Sequence, residues 1–181
     1  MLKKMSVFAL FLGIVYPLSA GAQDSLAKFK GGIGAIPVSN VVVAADGTLT
    51  VVRNVVRGVN SPGQIWVIAD LRADVKTYGG ITVKGKGLIL GGGNNAGRAT
   101  GQRVFATLIC EAEAPFTERN TDSDDLTAGI QGVPLEPNGD FLIDDTLSPA
   151  PVDCPSPMLL IRNAAGLAWF AAGIPTFGND D

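Results

Sequence analysis

From position 65 to position 76 the chain alternates strictly between two sets of side chains. Ile65, Val67, Ala69, Leu71, Ala73 and Val75 hold one parity, and Trp66, Ile68, Asp70, Arg72, Asp74 and Lys76 hold the other. Successive side chains of a strand point to opposite faces, so a period of two describes a half-buried β-strand. One face is expected in the core and the other largely in water, with Trp66 on the wet side. Gly79-Gly80 then returns the chain into a second strand, in which Ile81 and Val83 face inward while Thr82, Lys84 and Lys86 share the solvated face. Two such strands commit the surrounding chain to antiparallel β structure with one exposed face.

Turn signals recur at similar intervals along the rest of the sequence. Asp46-Gly47 separates the apolar runs 41–45 and 48–52 as a hairpin of the type I′ class, and Asn138-Gly139 joins 128–135 to 140–143 as another hairpin. Val104, Ala106, Leu108 and Cys110 share the inward register of another strand. Segments 158–161 and 167–174 read as a closing pair of buried strands, and the prolines between 148 and 157 exclude that stretch from any central strand. With 23 glycines and 17% charged residues, the composition also departs from that of a helical protein. The expectation is an all-β, antiparallel, Greek-key-like β-sandwich of about nine or ten strands.

Residues 1–22 have the form of a secretory signal peptide. Lys3 and Lys4 give a basic start, an apolar stretch follows, and Ala20-Gly21-Ala22 offers the small residues of a cleavage site. Pro17 interrupts the apolar stretch, which falls short of the roughly 20 residues needed to span a bilayer. A single exported domain, 23–181, is therefore expected in the periplasm or outside the cell, without a transmembrane anchor. Beyond residue 22 the cysteines are Cys110 and Cys154 alone, and an even number in an oxidising compartment argues that they pair. The overall look is that of small exported bacterial β-sandwich proteins.

Histidine is absent from the whole chain. That removes Ser-His-Asp and Cys-His catalysis and His-ligated zinc. Glu111 and Glu113 beside Cys110 also disfavour a thiolate nucleophile. Paired-carboxylate glycan hydrolysis is the one catalytic route left, with Asp140, Asp144 and Asp145 as candidates; Asp144 and Asp145, however, are neighbours on a strand and should face opposite sides. The run Gly91-Gly92-Gly93-Asn94-Asn95-Ala96-Gly97 is followed by Arg98-Ala99 where a phosphate loop needs Lys and then Ser or Thr, so it reads as a mobile connection.

Charge is distributed unevenly. Between Arg53 and Arg103 eight basic residues face only Asp70 and Asp74, and between Glu111 and Asp153 eleven acidic residues face only Arg119. An acidic mature chain without alternating basic and aromatic residues argues against nucleic-acid binding. The leading expectation is a non-enzymatic binding or structural module with no cofactor. Its ligand surface would be Trp66, Arg72, Lys76, Lys84 and Lys86, and its partner a cell-envelope or polysaccharide component. The alternative is a calcium-dependent module using Asp122, Asp124 and Asp125, whose alternating oxygens suit a hard cation although the spacing fails the EF-hand pattern at Asp125 and Gln131.

Overall fold

A computed structural model describes residues 24–122 and 129–176. The strands in chain order are β1 (Ser25–Gly34), β2 (Val38–Val43), β3 (Leu49–Arg53), β4 (Val55–Val56), β5 (Val59–Asn60), β6 (Trp66–Val67), β7 (Asp70–Lys76), β8 (Gly80–Lys86) and β9 (Ile89–Leu90). They are followed by β10 (Arg103–Ile109), β11 (Arg119–Asn120), β12 (Val133–Pro134), β13 (Phe141–Thr146), β14 (Met158–Asn163) and β15 (Trp169–Thr176). Every pairing is antiparallel, and no α-helix occurs among the described residues.

One nine-stranded sheet carries the fold, in the order β11-β10-β14-β15-β1-β7-β8-β13, with β12 also on β10. The expected all-β antiparallel architecture is present, and one continuous sheet supplies both of its layers. The sheet curls until β13 comes beside β12, close to barrel closure. At that seam Asn120 of β11 and Ser148, just beyond β13, exchange backbone bonds as a single antiparallel bridge, and the Asp122 amide donates to Asp145 Oδ2 at 2.8 Å. Leu71, Val75, Val83, Val104, Leu108, Leu159 and Ile161 are fully buried in the shared core.

The disulfide forms as expected, joining Cys110 at the end of β10 to Cys154 before β14, with Cα atoms 4.5 Å apart. Closing a loop of this length stabilises the fold by about 4 kcal/mol in the chain-entropy view. Arg57 reinforces the same corner, donating to the Ile109 carbonyl at 2.9 Å and to the Ser156 carbonyl at 2.6 Å. It is thus a structural cation, and part of the sequence's basic bias is spent inside the fold.

Three local expectations are revised. β10 is buried on both faces rather than one, because side chains from both flanking stretches, Arg162 of β14 and Glu118 and Asn120 at β11, lie over its outer side. There Arg162 lies 5.3 Å from the centre of the Phe105 ring and donates to Glu118 at 2.6 Å and to the Leu167 carbonyl at 2.9 Å, so a nearly buried guanidinium is paired on several sides. Second, the Asn138-Gly139 turn exists, closed by bonds between Glu136 and Asp140, but its flanking strands separate: β12 joins β10 and β13 joins β8. Third, the β2–β3 turn keeps Asp46 at negative φ and only Gly47 is left-handed, at 84°. The Gly47 amide bonds the Ala44 carbonyl and the Ala44 amide bonds the Thr48 carbonyl, which describes a type I turn with a glycine bulge, not a type I′ turn.

Candidate functional site

The sequence placed its ligand surface on the strands that became β7 and β8, and in the structure β1 extends their outer face. Inward alternation is satisfied by Ala27 and Phe29 on β1, by Leu71, Ala73 and Val75 on β7, and by Ile81 and Val83 on β8. The intervening side chains must then share the opposite face. Register aligns Lys30 with Arg72 and Arg72 with Lys84, so three cations stand in one row across three adjacent strands. Neighbouring strands lie about 4.8 Å apart, and like charges directly opposite one another repel.

The neighbouring rows set the balance. Lys28 aligns with Asp74 and Thr82, and Asp70 aligns with Lys86. Asp70 pairs with Arg72 at 3.2 Å and Asp74 pairs with Lys76 at 2.6 Å, both partly exposed. Such surface pairs contribute at most about 1 kcal/mol each. Among the described residues Lys28, Lys30, Lys84 and Lys86 have no ion-pair partner, and all four are exposed. Beside them a shallow depression of about 160 Å³ is lined by Lys28, Lys30, Arg72, Asp74 and Thr176. An open face on which cations outnumber anions suits repeated negative charges on an extended ligand rather than one small molecule held in a cavity.

Arg72, Lys76, Lys84 and Lys86 therefore fall together as read from the sequence, and Trp66 does not. The indole is 4% exposed and stacks on Phe170 with ring centroids 3.9 Å apart. The same residue offset pairs Trp66 with Leu90 and Asp70 with Lys86, but the ladder is interrupted between them, where Gly87 is left-handed at φ 65° and the Leu88 amide turns to the Gly139 carbonyl, and across this break the packed side of the ribbon changes. Burying the indole against Phe170 removes a large apolar surface from water, which outweighs the continuation of simple alternation. In exchange the face gains Lys28 and Lys30. Their signal was legible in Ala27-Lys28-Phe29-Lys30, a short alternation that stops at Gly31-Gly32.

The acidic candidates behave differently. Asp122 has a left-handed backbone, at φ 59°, and its Oδ2 accepts the amides of both Gln131 and Gly132. This carboxylate clasps the loop before β12. Asp124 and Asp125 lie outside the described residues, as do residues 1–22. Among the described residues no cluster of three metal-ligating side chains occurs. Asp144 accepts the Thr82 hydroxyl at 3.1 Å on the outer face, whereas Asp145 accepts the Asp122 amide at the seam and Asp140 accepts the Gly87 amide at 3.0 Å. The three carboxylates thus serve three separate structural bonds.

The glycine cluster 91–101 is also tied down: the Gly91 amide bonds the Ile65 carbonyl, and the Gly97 amide bonds the Leu90 carbonyl. The element that follows it is the strand β10, not the helix that would complete a phosphate site. Comparison with protein-family models, with curated proteins and with solved structures gives no match, so the functional reading rests on the fold and on this cationic face.

Proposed function

We propose that the protein is an exported, non-enzymatic binding module that holds an anionic polymer of the cell envelope or of an extracellular polysaccharide on the outer face of β1, β7 and β8. The observation that carries the reading is the cross-strand row Lys30–Arg72–Lys84, flanked by the unpaired Lys28 and Lys86. A row of like charges costs stability in the free protein, and an anionic ligand relieves that cost. The signal-like residues 1–22 and the disulfide support a site of action in an oxidising compartment beyond the cytoplasm.

The test is retention on beads carrying a sulfated or uronic-acid polysaccharide. Lys30→Ala with Lys84→Ala should elute at clearly lower salt than the wild type, because screened surface charges dominate the attraction. Its melting temperature should stay the same or rise as repulsion is removed. Equal retention of variant and wild type would overturn the proposal.

A further inference from the structure

The β2–β3 ribbon is the least explained part of the molecule. All eleven of its strand residues are exposed, and among the described residues its two strands pair only with each other. An isolated two-stranded hairpin is marginal in water. Natural sheet edges are usually guarded by charges, yet from Val38 to Arg53 the only charged residues are Asp46 at the tip and Arg53 at the root.

The two faces of the ribbon differ. Register pairs Val41 with Val51, Val43 with Leu49 and, beyond a bulge, Val38 with Arg53. One face therefore carries Val38, Val41, Val43, Leu49 and Val51, which are 41–66% exposed, with Arg53 at its root end. The other face mixes Asn40, Val42, Thr50 and Val52. A continuous apolar face on a projecting ribbon is a surface that expects cover.

We infer that this face packs against the same face of a second copy of the chain, two ribbons stacked antiparallel about a two-fold axis with the tip of each over the root of the other. Area supports this occupant. The five side chains expose about 400 Å² of apolar surface, and a standard interface of about 800 Å² per partner is a little over half apolar. Charge supports it as well. An isologous contact needs a patch complementary to itself, and the antiparallel stack brings Asp46 of each ribbon over Arg53 of the other, closing two ion pairs at the rim. Arg53 is exposed and spends one nitrogen on the Ser61 carbonyl at 2.6 Å, which leaves guanidinium donors for such a pair.

The experiment is sedimentation velocity of the full oxidised chain from about 1 to 100 μM, the weak end of the micromolar-to-picomolar span of interfaces of this size. The wild type should move from monomer to dimer. Val51→Lys and, independently, Val43→Lys should remain monomeric with an unchanged near-UV spectrum, whereas Val42→Lys on the mixed face should still dimerise. Asp46→Lys or Arg53→Glu alone should weaken the dimer by roughly two- to thirty-fold, and the two together should recover most of the loss, as expected for two exposed ion pairs. A wild type that is monomeric throughout, dimers that survive Val51→Lys, or an absence of recovery in the double variant would each overturn the inference. A monomeric wild type that binds neutral phospholipid vesicles through the ribbon would assign the face to a membrane instead.

Discussion

Gly85 offers a sharp test of the packing that supports the cationic face. It lies mid-strand in β8, opposite Leu71 on one side and Phe141 on the other. A Cβ added there would sit 2.0 Å from Cε1 and 2.2 Å from Cζ of Phe141, whose ring is buried over the glycine. Gly85 is not among the residues with positive φ, so the backbone itself tolerates alanine. On chain entropy alone Gly85→Ala would stabilise by about 0.4–1 kcal/mol. Forcing the ring aside costs about 1–3 kcal/mol, and this term wins. The net loss is about 1–2 kcal/mol, or roughly 3–6 °C in melting temperature for a chain of this size.

Thermal and urea unfolding followed by near-UV circular dichroism would measure it. Phe141→Ala alone should cost about 3–5 kcal/mol. In that background Gly85→Ala should become neutral or stabilising, because the methyl group then occupies vacated space, and the coupling between the two sites should reach about 1–3 kcal/mol. Additive effects, or a single Gly85→Ala variant as stable as the wild type, would refute the reasoning.

Two further outcomes follow from the ion pair beside the disulfide and from the seam. Arg119 bonds Glu111 at 2.9 Å and holds its carboxyl down at about 2, aided by the Thr117 amide. A carboxylate with a depressed folded-state pKa adds stability that is complete above its unfolded value near 4.5 and is lost as pH falls toward 2. Arg119→Gln should therefore lower stability at pH 6, converge with the wild type near pH 2, and bring the Glu111 titration seen by NMR back toward 4.5; coincident wild-type and variant titrations would contradict the assignment. At the seam, Asp122→Ala leaves the Gln131 and Gly132 amides without their acceptor and should cost about 1–3 kcal/mol, with Asp122→Asn recovering part of it. The deficit should be the same in chelator and in millimolar Ca²⁺; a calcium-dependent rise confined to the wild type would instead make the acidic loop a cation site.

What the sequence made legible was local. The alternation across β7 and β8 assigned Arg72, Lys76, Lys84 and Lys86 to one solvated face, and the cysteine pair and the β14–β15 and β2–β3 hairpins followed from composition and turn residues. What stayed hidden depended on partners distant in the chain. Lys28 and Lys30 join the site because the N-terminal strand slots between β15 and β7, a placement that no local period encodes. Trp66 leaves it because Phe170, more than a hundred residues away, offers a flat apolar surface. β10 looked one-sided because its outer cover comes from side chains of separate stretches of chain, Arg162 and Glu118 among them. The Asp46-Gly47 dipeptide marked both its turn and the strands it joins, whereas Asn138-Gly139 marked its turn but not which strands its flanks would pair with.

The most direct measurement of the proposed function is a backbone-amide NMR titration of the oxidised protein with a short oligosaccharide carrying sulfate or uronic-acid groups. The expected result is shifts concentrated at Lys28, Lys30, Arg72, Lys84 and Lys86, fading as salt rises, with the amides around Asp122 and Cys154 unmoved. Saturating ligand with no shifts on these strands, or shifts concentrated at the Asp122 seam, would contradict a polyanion-binding face on β1, β7 and β8.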